Sequence, residues 1–420
     1  MDLVQRPDPG TEAVVALESG PFRLRALAVP IYVPTFLFAV GQGLVVPVLP
    51  LYAKGLGAGV GIIGLIVTMR GIGSMAADVP SGTLTARLGG RLAMTLGAAA
   101  TAVVALVIGL AASVWLLYPL VLFAGAAFAL WMVARLAYMS DTIPTEFRGR
   151  SLALVGGVNR IGVFVGPVVG GFVGRELGLE WVFYLQAMVC AAAAGIVFVT
   201  VQGHDGAMLT GVPVEHPNVV RTLRKHRHAF LTAGSVAVAL VLVRHGRQLL
   251  IPLWGDAIGL DVAQIGIIFG FSSAVDMTLF YPVGLVMDRW GRKWTIVPCL
   301  ALLGLSMALI PLTHSFAPFL AVGLLSGLGN GLGSGAVMTL GADLAPREAS
   351  GPFLGVWRLI GDAGAVSAPA TVGALAEVLT LGAAAVATGG IGIAGAAVMA
   401  VVVTETLRRT RPPQRLAPGR

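Results

Sequence analysis

Apolar residues run in blocks along almost the whole chain, separated by short polar or glycine-rich stretches. A block of roughly 20 residues, wound as a helix rising about 1.5 Å per residue, spans the ~30 Å hydrocarbon core of a bilayer. Blocks at 27–52, 60–80, 92–112, 114–138, 151–173, 181–201, 229–254, 262–285, 294–313, 316–340, 353–378 and 381–404 predict twelve membrane-spanning helices. Glycine and proline interrupt many of them. Membrane helices tolerate this because neighbouring helices satisfy the freed backbone groups. The predicted fold is all-α: an N-terminal tail (1–26), a six-helix bundle (27–201), a linker (202–228), a second six-helix bundle (229–404) and a basic tail (405–420).

The two bundles are related in sequence. Gly284-Leu-Val-Met-Asp288-Arg289-Trp-Gly291-Arg292-Lys293 lies between two apolar blocks. It recurs, degraded, 202 residues earlier as Gly82-Thr-Leu-Thr-Ala86-Arg87-Leu-Gly89-Gly90-Arg91. At the same offset Pro50 matches Pro252, Ile63-Gly64 matches Ile265-Gly266, Pro80 matches Pro282 and Pro167 matches Pro369. Asp141-x-x-Pro144-x-Glu146 matches Asp343-x-x-Pro346-x-Glu348. Chance supplies some matches in a chain rich in Gly and Ala, but not Asp, Pro and Glu in register together. The chain reads as a parallel duplication of the kind found in transporters.

Composition narrows the class. The 420 residues are 56% hydrophobic and 11% charged, against about 25% charged in soluble domains. A net charge of +8 would raise nucleic acid as a partner for a soluble protein, but here its placement explains it. Segments on the side of the termini carry twenty Lys and Arg, and the opposite loops carry two, Lys54 and Arg175. The positive-inside rule therefore places both termini in the cytoplasm, and no nucleic-acid partner is expected. The first twenty residues hold Asp2, Asp8, Glu12 and Glu18 and no apolar run, so no cleavable signal peptide is expected. Cys190 and Cys299 fall inside spans and suggest neither a disulfide framework nor a metal site. The chain has no Walker loop, no G-x-S-x-G and no H-E-x-x-H. An enzyme, a bound cofactor and a nucleotide-driven pump are disfavoured, which leaves an ion gradient, expected to be protons, as the driving force.

Together these features resemble the major facilitator superfamily over nearly the full length, and within it the twelve-span drug:proton antiporters. Gly284 to Lys293 looks like the family's cytoplasmic loop between the second and third helices of a half, which the resemblance associates with gating. The first copy keeps Gly82, Arg87, Gly89 and Arg91, but Ala86 replaces the acidic residue of its charge relay. Gly162-Val-Phe-Val-Gly166-Pro167-Val-Val-Gly170-Gly171 resembles the glycine-proline motif of proton-driven drug antiporters. Physically, Gly162, Gly166 and Gly170 form one smooth stripe that lets helices approach closely, while Pro167 weakens the local hydrogen-bond ladder. Plain helix packing is the competing explanation. The basic residue that the resemblance implies early in the fourth span is absent, because Val121 stands four residues before Gly125.

Ionisable residues at membrane depth are costly unless paired or hydrated, and mark function by default. Arg70, Asp78, Arg135, Arg160, Arg244, His245, Arg247, Asp276, Arg358 and Asp362 all fall in predicted spans. At ~1.5 Å per residue, Arg70, Arg160 and Asp362 lie roughly 16–18 Å deep and Asp276 roughly 12 Å deep. The resemblance implies that spans two and eleven are neighbours, as are spans five and eight. It thereby implies the pairs Arg70 with Asp362, Arg160 with Asp276 and Asp78 with Arg358. Ion pairs between two rocking halves would couple protonation to motion, whereas static pairs would only neutralise charge. The resemblance also implies a cavity lined by spans one, four, seven and ten. Gln42, Arg135, Arg244, His245, Arg247 and Asn330 are then candidate substrate contacts. Arg244 and Arg247 share a helix face suited to a carboxylate or phosphate, or else they snorkel to the outer interface.

The expected function is secondary transport of a small-molecule substrate across the cell membrane by a monomer, exporting a small amphiphile or drug in exchange for protons. One alternative is a carrier of a small organic anion, favoured by six intramembrane arginines against three aspartates. A lipid or lysolipid flippase is another. A non-transporting receptor or scaffold is disfavoured by the lack of a sizeable soluble domain. The topology has a direct test. A cysteine introduced at position 205 should resist a membrane-impermeant thiol reagent added outside intact cells, and ready labelling there would reverse the orientation.

Overall fold

The computed structural model describes residues 27–201, 222, 224–346 and 350–406, and these contain helix and no strand. The expected N-terminal tail, most of the linker and nearly all of the basic tail lie outside the described residues. A π-helical turn, Ala28–Tyr32, leads into α1 (Val33–Gly55). The next helical stretch, Val60–Gly109, is 50 residues long. Straight, it would measure ~75 Å, more than twice the bilayer core. Its backbone leaves helical geometry at Gly89 (φ 77, ψ 159), a region only glycine enters without strain. So α2 (60–88) hands over there to α3 (90–109). The helix continues past Pro80, where the apolar block ends, because Pro80 is accommodated inside it.

After these come α4 (Val114–Thr142), α5 (Thr145–Glu176), α6 (Leu179–Thr200), α7 (Arg227–Ala257) and α8 (Val262–Trp290). Then follow α9 (Lys293–Leu309), α10 (Phe316–Leu332), α11 (Ala336–Leu344), α12 (Ser350–Val378) and α13 (Leu381–Val401). Among the described residues, eleven helical stretches are long and apolar enough to cross a membrane, with Val60–Gly109 and the pair α10–α11 each taken as one. Large apolar side chains such as Trp115, Met188 and Leu231 point outward and are well exposed, as a lipid solvent permits and water does not.

Structural details recur at the 202-residue offset. Gly57 and Gly259 both adopt positive φ (90 and 80) in the turns after α1 and α7, and Gly89 and Gly291 (77 and 111) do so after α2 and α8. The Tyr52 hydroxyl donates to the Ile108 and Ala111 carbonyls at 3.0 Å each. Its counterpart Trp254 donates from Nε1 to the carbonyl and hydroxyl of Thr313 at 3.2 and 3.0 Å. Thr313 is itself the counterpart of Ala111.

Two helix crossings repeat in the same way. Gly64 of α2 rests on the Pro369 carbonyl and Gly373 of α12, and Gly266 of α8 rests on the Pro167 carbonyl and Gly171 of α5. A Cβ on Gly64 or Gly266 would lie within 3.0 Å of that backbone oxygen. In lipid there is little hydrophobic drive between helices, so close contact through small residues holds them together. Gly266→Ala should therefore lower the melting temperature in detergent by several degrees, the overpacking costing ~1–3 kcal/mol. Gly234→Ala, where a Cβ meets nothing closer than 3.7 Å, should leave it unchanged. Equal melting of the two variants would refute the crossing as a close-contact seam.

Candidate functional site

The helix α5 presents two faces. Gly162, Gly166 and Gly170 press on α1, and a Cβ on each would crowd Ala39, the Val40 carbonyl and the Leu44 carbonyl respectively. The glycine stripe is thus a packing seam. Pro167 and Gly171 lie on the neighbouring face against α8, and Arg160 continues that face two turns further along. There Arg160 Nη1 stands 3.6 Å from Asp276 Oδ1 of α8, both side chains being largely buried. The guanidinium also lies over the Phe280 ring, 4.3 Å from its centroid.

Asp276 has further partners from a broken helix. Asn330 Nδ2 donates to Asp276 Oδ2 at 2.9 Å, and the Ser334 hydroxyl reaches Oδ1 at 3.5 Å. The expected continuous span 316–340 is interrupted between them. After Leu332 the chain turns through Gly333-Ser334-Gly335, with Gly335 at φ 74, ψ −9, and restarts as α11. Trp131-Met132-Val133 occupies the corresponding place in the first half, and there α4 runs on unbroken.

At this turn the Asn330 carbonyl accepts the Gly333 N–H at 3.1 Å and Arg244 Nη2 at 3.2 Å. A Cβ on Gly333 would strike Arg244 Nη2 at 2.7 Å and Cys299 Sγ at 2.5 Å. The guanidinium fills the space that glycine leaves. Arg247 is 7% exposed and donates from Nη1 to the hydroxyls of Ser272 (3.2 Å) and Ser326 (3.1 Å). It faces the interior of its own bundle and does not snorkel outward. His245 Nδ1 bonds the Val241 carbonyl at 2.9 Å.

The expected pairing of Arg70 with Asp362 is corrected. Arg70 Nη2 donates to Gln42 Oε1, and the guanidinium lies 5.4 Å from the Phe128 ring centroid. Two constraints explain this. The α2 face that meets α12 is marked by Gly64 and Gly71, and Arg70 lies ~100° around the helix from Gly71. Gly71 also meets Val366, a register that sets Asp362 opposite Met75, about 7 Å along the helix from Arg70. Asp362 instead faces Arg358, one turn back along α12, at 3.6 Å, and Arg358 lies 3.8 Å from Asp78. The Arg358 side chain is 76% exposed, so neither contact is strong. Arg135 is buried and reaches Thr35 Oγ1 at 3.4 Å and Met132 Sδ at 3.2 Å.

The loop motif is organised around Arg292. Its Nε and Nη2 grip both oxygens of Asp343 at 2.7 and 3.3 Å, and Nη1 donates to the Met287 carbonyl at 2.7 Å. Asp288 is 78% exposed and 3.7 Å away, so it is the lesser partner. Glu405 accepts the backbone N–H groups of Arg292 (2.9 Å) and Lys293 (3.1 Å), and Lys293 Nζ donates to the Ala400 carbonyl at 2.9 Å. Gly291 leaves room for the Glu405 carboxylate, which a Cβ would strike. Gly284 and Gly82 border open space, and Arg289 and Arg87 are exposed. In the first copy Gly90 stands where Arg292 does, and Arg91 corresponds to Lys293 and lies over Phe198 at 4.7 Å.

At the opposite, short-turn end, Lys54 pairs with Asp256, its counterpart 202 residues on. The Glu377 carboxylate accepts the Gly61 N–H at 3.0 Å, capping the first turn of α2 from α12. The sequence reading named none of Lys54, Asp256, Glu377, Asp343 or Ser334 as a site residue. The repeat register signals three of them: Asp343 lies in a repeated motif, and Lys54 and Asp256 occupy one repeat position.

Comparison with known proteins agrees with this architecture. A family model described as Major Facilitator Superfamily matches residues 31–245 and 236–419. A transporter of that type from Methanocaldococcus jannaschii, itself uncharacterised, is 21% identical over 354 residues, 83% of this chain and 91% of that protein. Multidrug resistance protein 2 of Bacillus subtilis is 24% identical over 272 residues (63% of this chain, 68% of that one). The quinolone resistance protein NorA of Staphylococcus aureus is 27% identical over 166 residues (40% and 41%). The crystal structure of the nucleoside transporter NupG superposes with a TM-score of 0.76 at 13% identity, covering 90% of this chain and all of that one. A peptide transporter structure gives 0.74 at 13% identity, with 90% and 94% covered. At such identities the structures speak for the fold alone. The family and its structural neighbours are transporters, not enzymes, and the chain belongs to the Major Facilitator Superfamily.

Proposed function

We propose that this chain is a proton-coupled exporter of a small amphiphilic molecule that works by alternating access between two six-helix repeats, with twelve crossings and both termini in the cytoplasm. The contacts recurring at the 202-residue offset and the break at Gly89 support the two-repeat reading. The resistance proteins among its relatives favour export. One observation carries the coupling: Arg160 and Asp276 meet across the seam between α5 and α8, one helix from each repeat.

The mechanism follows from where contacts close. The Lys54–Asp256 pair and the Glu377 cap hold the short-turn end together. At the loop-motif end the exposed Arg358 meets Asp78 of the other repeat. Rocking on the two glycine crossings opens one end as the other closes. Ionised Asp276 holds Arg160 and, through Asn330 and Ser334, the broken turn of α10. Protonation removes that charge and weakens all three contacts together. Proton uptake therefore loosens the seam and the turn that anchors Arg244, a differential interaction of the kind that shifts a two-state equilibrium.

Asp276→Asn should lose pH-driven accumulation of amphiphilic dyes in proteoliposomes by at least about tenfold, while dye binding in detergent persists. Asp362→Asn, which leaves Arg358 paired with Asp78, should lose much less. Full pH-driven transport by Asp276→Asn would remove this residue as the coupling site. In the loop, Asp343→Asn should slow transport more than Asp288→Asn, because Asp343 takes the bidentate bond. Arg292→Ala should likewise cost more than Arg91→Ala. Reversed orders, measured as initial rates at matched protein levels, would contradict the assigned contacts.

A further inference from the structure

The membrane-spanning helices hold an excess of positive charge. Arg70, Arg135, Arg160, Arg244 and Arg247 come from five positions on α2, α4, α5 and α7. Among the described residues, Asp276 is the one carboxylate within ion-pair distance of any of them. The helices α1 and α10 contain no Asp or Glu, and the single acid of α4 and of α7 stands at a helix end. The partners of the other four are neutral: the Gln42 amide, Thr35 and Met132, the Asn330 carbonyl, and the Ser272 and Ser326 hydroxyls.

A buried guanidinium served only by neutral groups is expensive, because hydroxyls and amides do not return the lost solvation of a full charge. The Nε atoms of Arg244 and Arg247 are buried with no acceptor at all, although Arg247 is more than nine-tenths buried. Nor is the placement of Arg244 a packing accident. Arg244 occupies the space left at Gly333 by a helix break absent from α4. Gln42, the partner of Arg70, and Arg244 occupy one repeat position. Each bundle thus holds buried positive charge that its own side chains leave unneutralised.

We infer that the transported molecule is an amphiphilic organic anion, its carboxylate or phosphate received between Arg244 and Arg70, with Arg247 and Arg160 adding to the field. The planar forks of two guanidiniums match the oxygens of either group. Phe128 beneath Arg70 and Phe280 beneath Arg160 offer apolar surface beside the charges. This assignment rests on the alternating-access reading, and it separates the chain from carriers of cationic drugs.

The test is binding by the purified full-length protein in detergent, followed by isothermal titration calorimetry with three probes sharing one ring system: 2-naphthoate, 2-naphthyl phosphate and a naphthyl trimethylammonium cation. At least one anion should bind about tenfold or more tightly than the cation, and the tighter of the two identifies carboxylate or phosphate. Arg244→Gln and Arg70→Gln should each weaken anion binding about tenfold. Arg244→Lys should recover part of the loss, with cation binding unchanged in all three. Preference for the cation, absence of anion binding to the unsubstituted protein, or anion binding untouched by both Gln variants would overturn the inference. The first two outcomes need no variant, so misfolding of one cannot shelter the idea. Because no pH gradient is imposed, a protein that binds anions without pH-driven transport keeps this site and loses the coupling, and the converse holds for a pH-driven cation carrier.

Discussion

Everything in this structure hangs on two places where backbone touches backbone. Gly64 on Pro369 and Gly266 on Pro167 are close backbone contacts between residues before position 202 and residues after it. Lipid supplies no hydrophobic reward for bringing helices together, so the approach must be close enough for dispersion and weak polar contacts to act. No side chain larger than hydrogen fits at either glycine. A seam of this kind is strong against separation and weak against rotation, because a smooth surface offers no interlocking side chains. That combination is what a rocking machine needs.

The crossings also decide which charges can meet. They set the register of α5 against α8, so that Arg160 falls beside Asp276. They set the register of α2 against α12, and there the same rule keeps Arg70 from Asp362. The two seams are geometrically alike and chemically different. Position 160 is arginine and its counterpart 362 is aspartate, while position 276 is aspartate and its counterpart 74 is serine. Differences at single positions leave one seam with a largely buried ion pair and the other with an exposed one. The break in α10 is a second divergence, and it brings Asn330, Ser334 and Arg244 to the side of that pair.

Much of this was legible in the sequence because membrane insertion imposes a coarse code. Span length follows from the bilayer, the 202-residue register is read from the sequence itself, and neither needs tertiary knowledge. The pair of Arg160 with Asp276 was reachable from depth counting together with the resemblance. The pair of Arg70 with Asp362 failed by the same counting. Depth from a loop gives the level of a residue but not its azimuth, and it ignores the extra turns by which α2 outruns Pro80. The Gly-Ser-Gly turn at 333–335 was visible as composition, yet such a run also serves packing, and only backbone geometry separates a seam from a break. Asp343 was read as a register marker, because its partner Arg292, in the turn between α8 and α9, is 51 residues away in sequence. Lys54 with Asp256 shows what was overlooked: where a repeat position lies near the pseudo-symmetry axis, its two copies meet.

The central claim is that the two repeats rock about the glycine crossings, with one end closing as the other opens. Spin-label distance measurements on two double-cysteine proteins test it most directly. One carries labels at Asp141 and Ala342, on the loop-motif end, and the other at Leu177 and Leu379, beside the short turns. As pH is lowered in nanodiscs, the account predicts two resolved distance populations for each pair, changing in opposite directions at the two ends. A single unchanged distance at both ends, or distances that grow and shrink together, would contradict it.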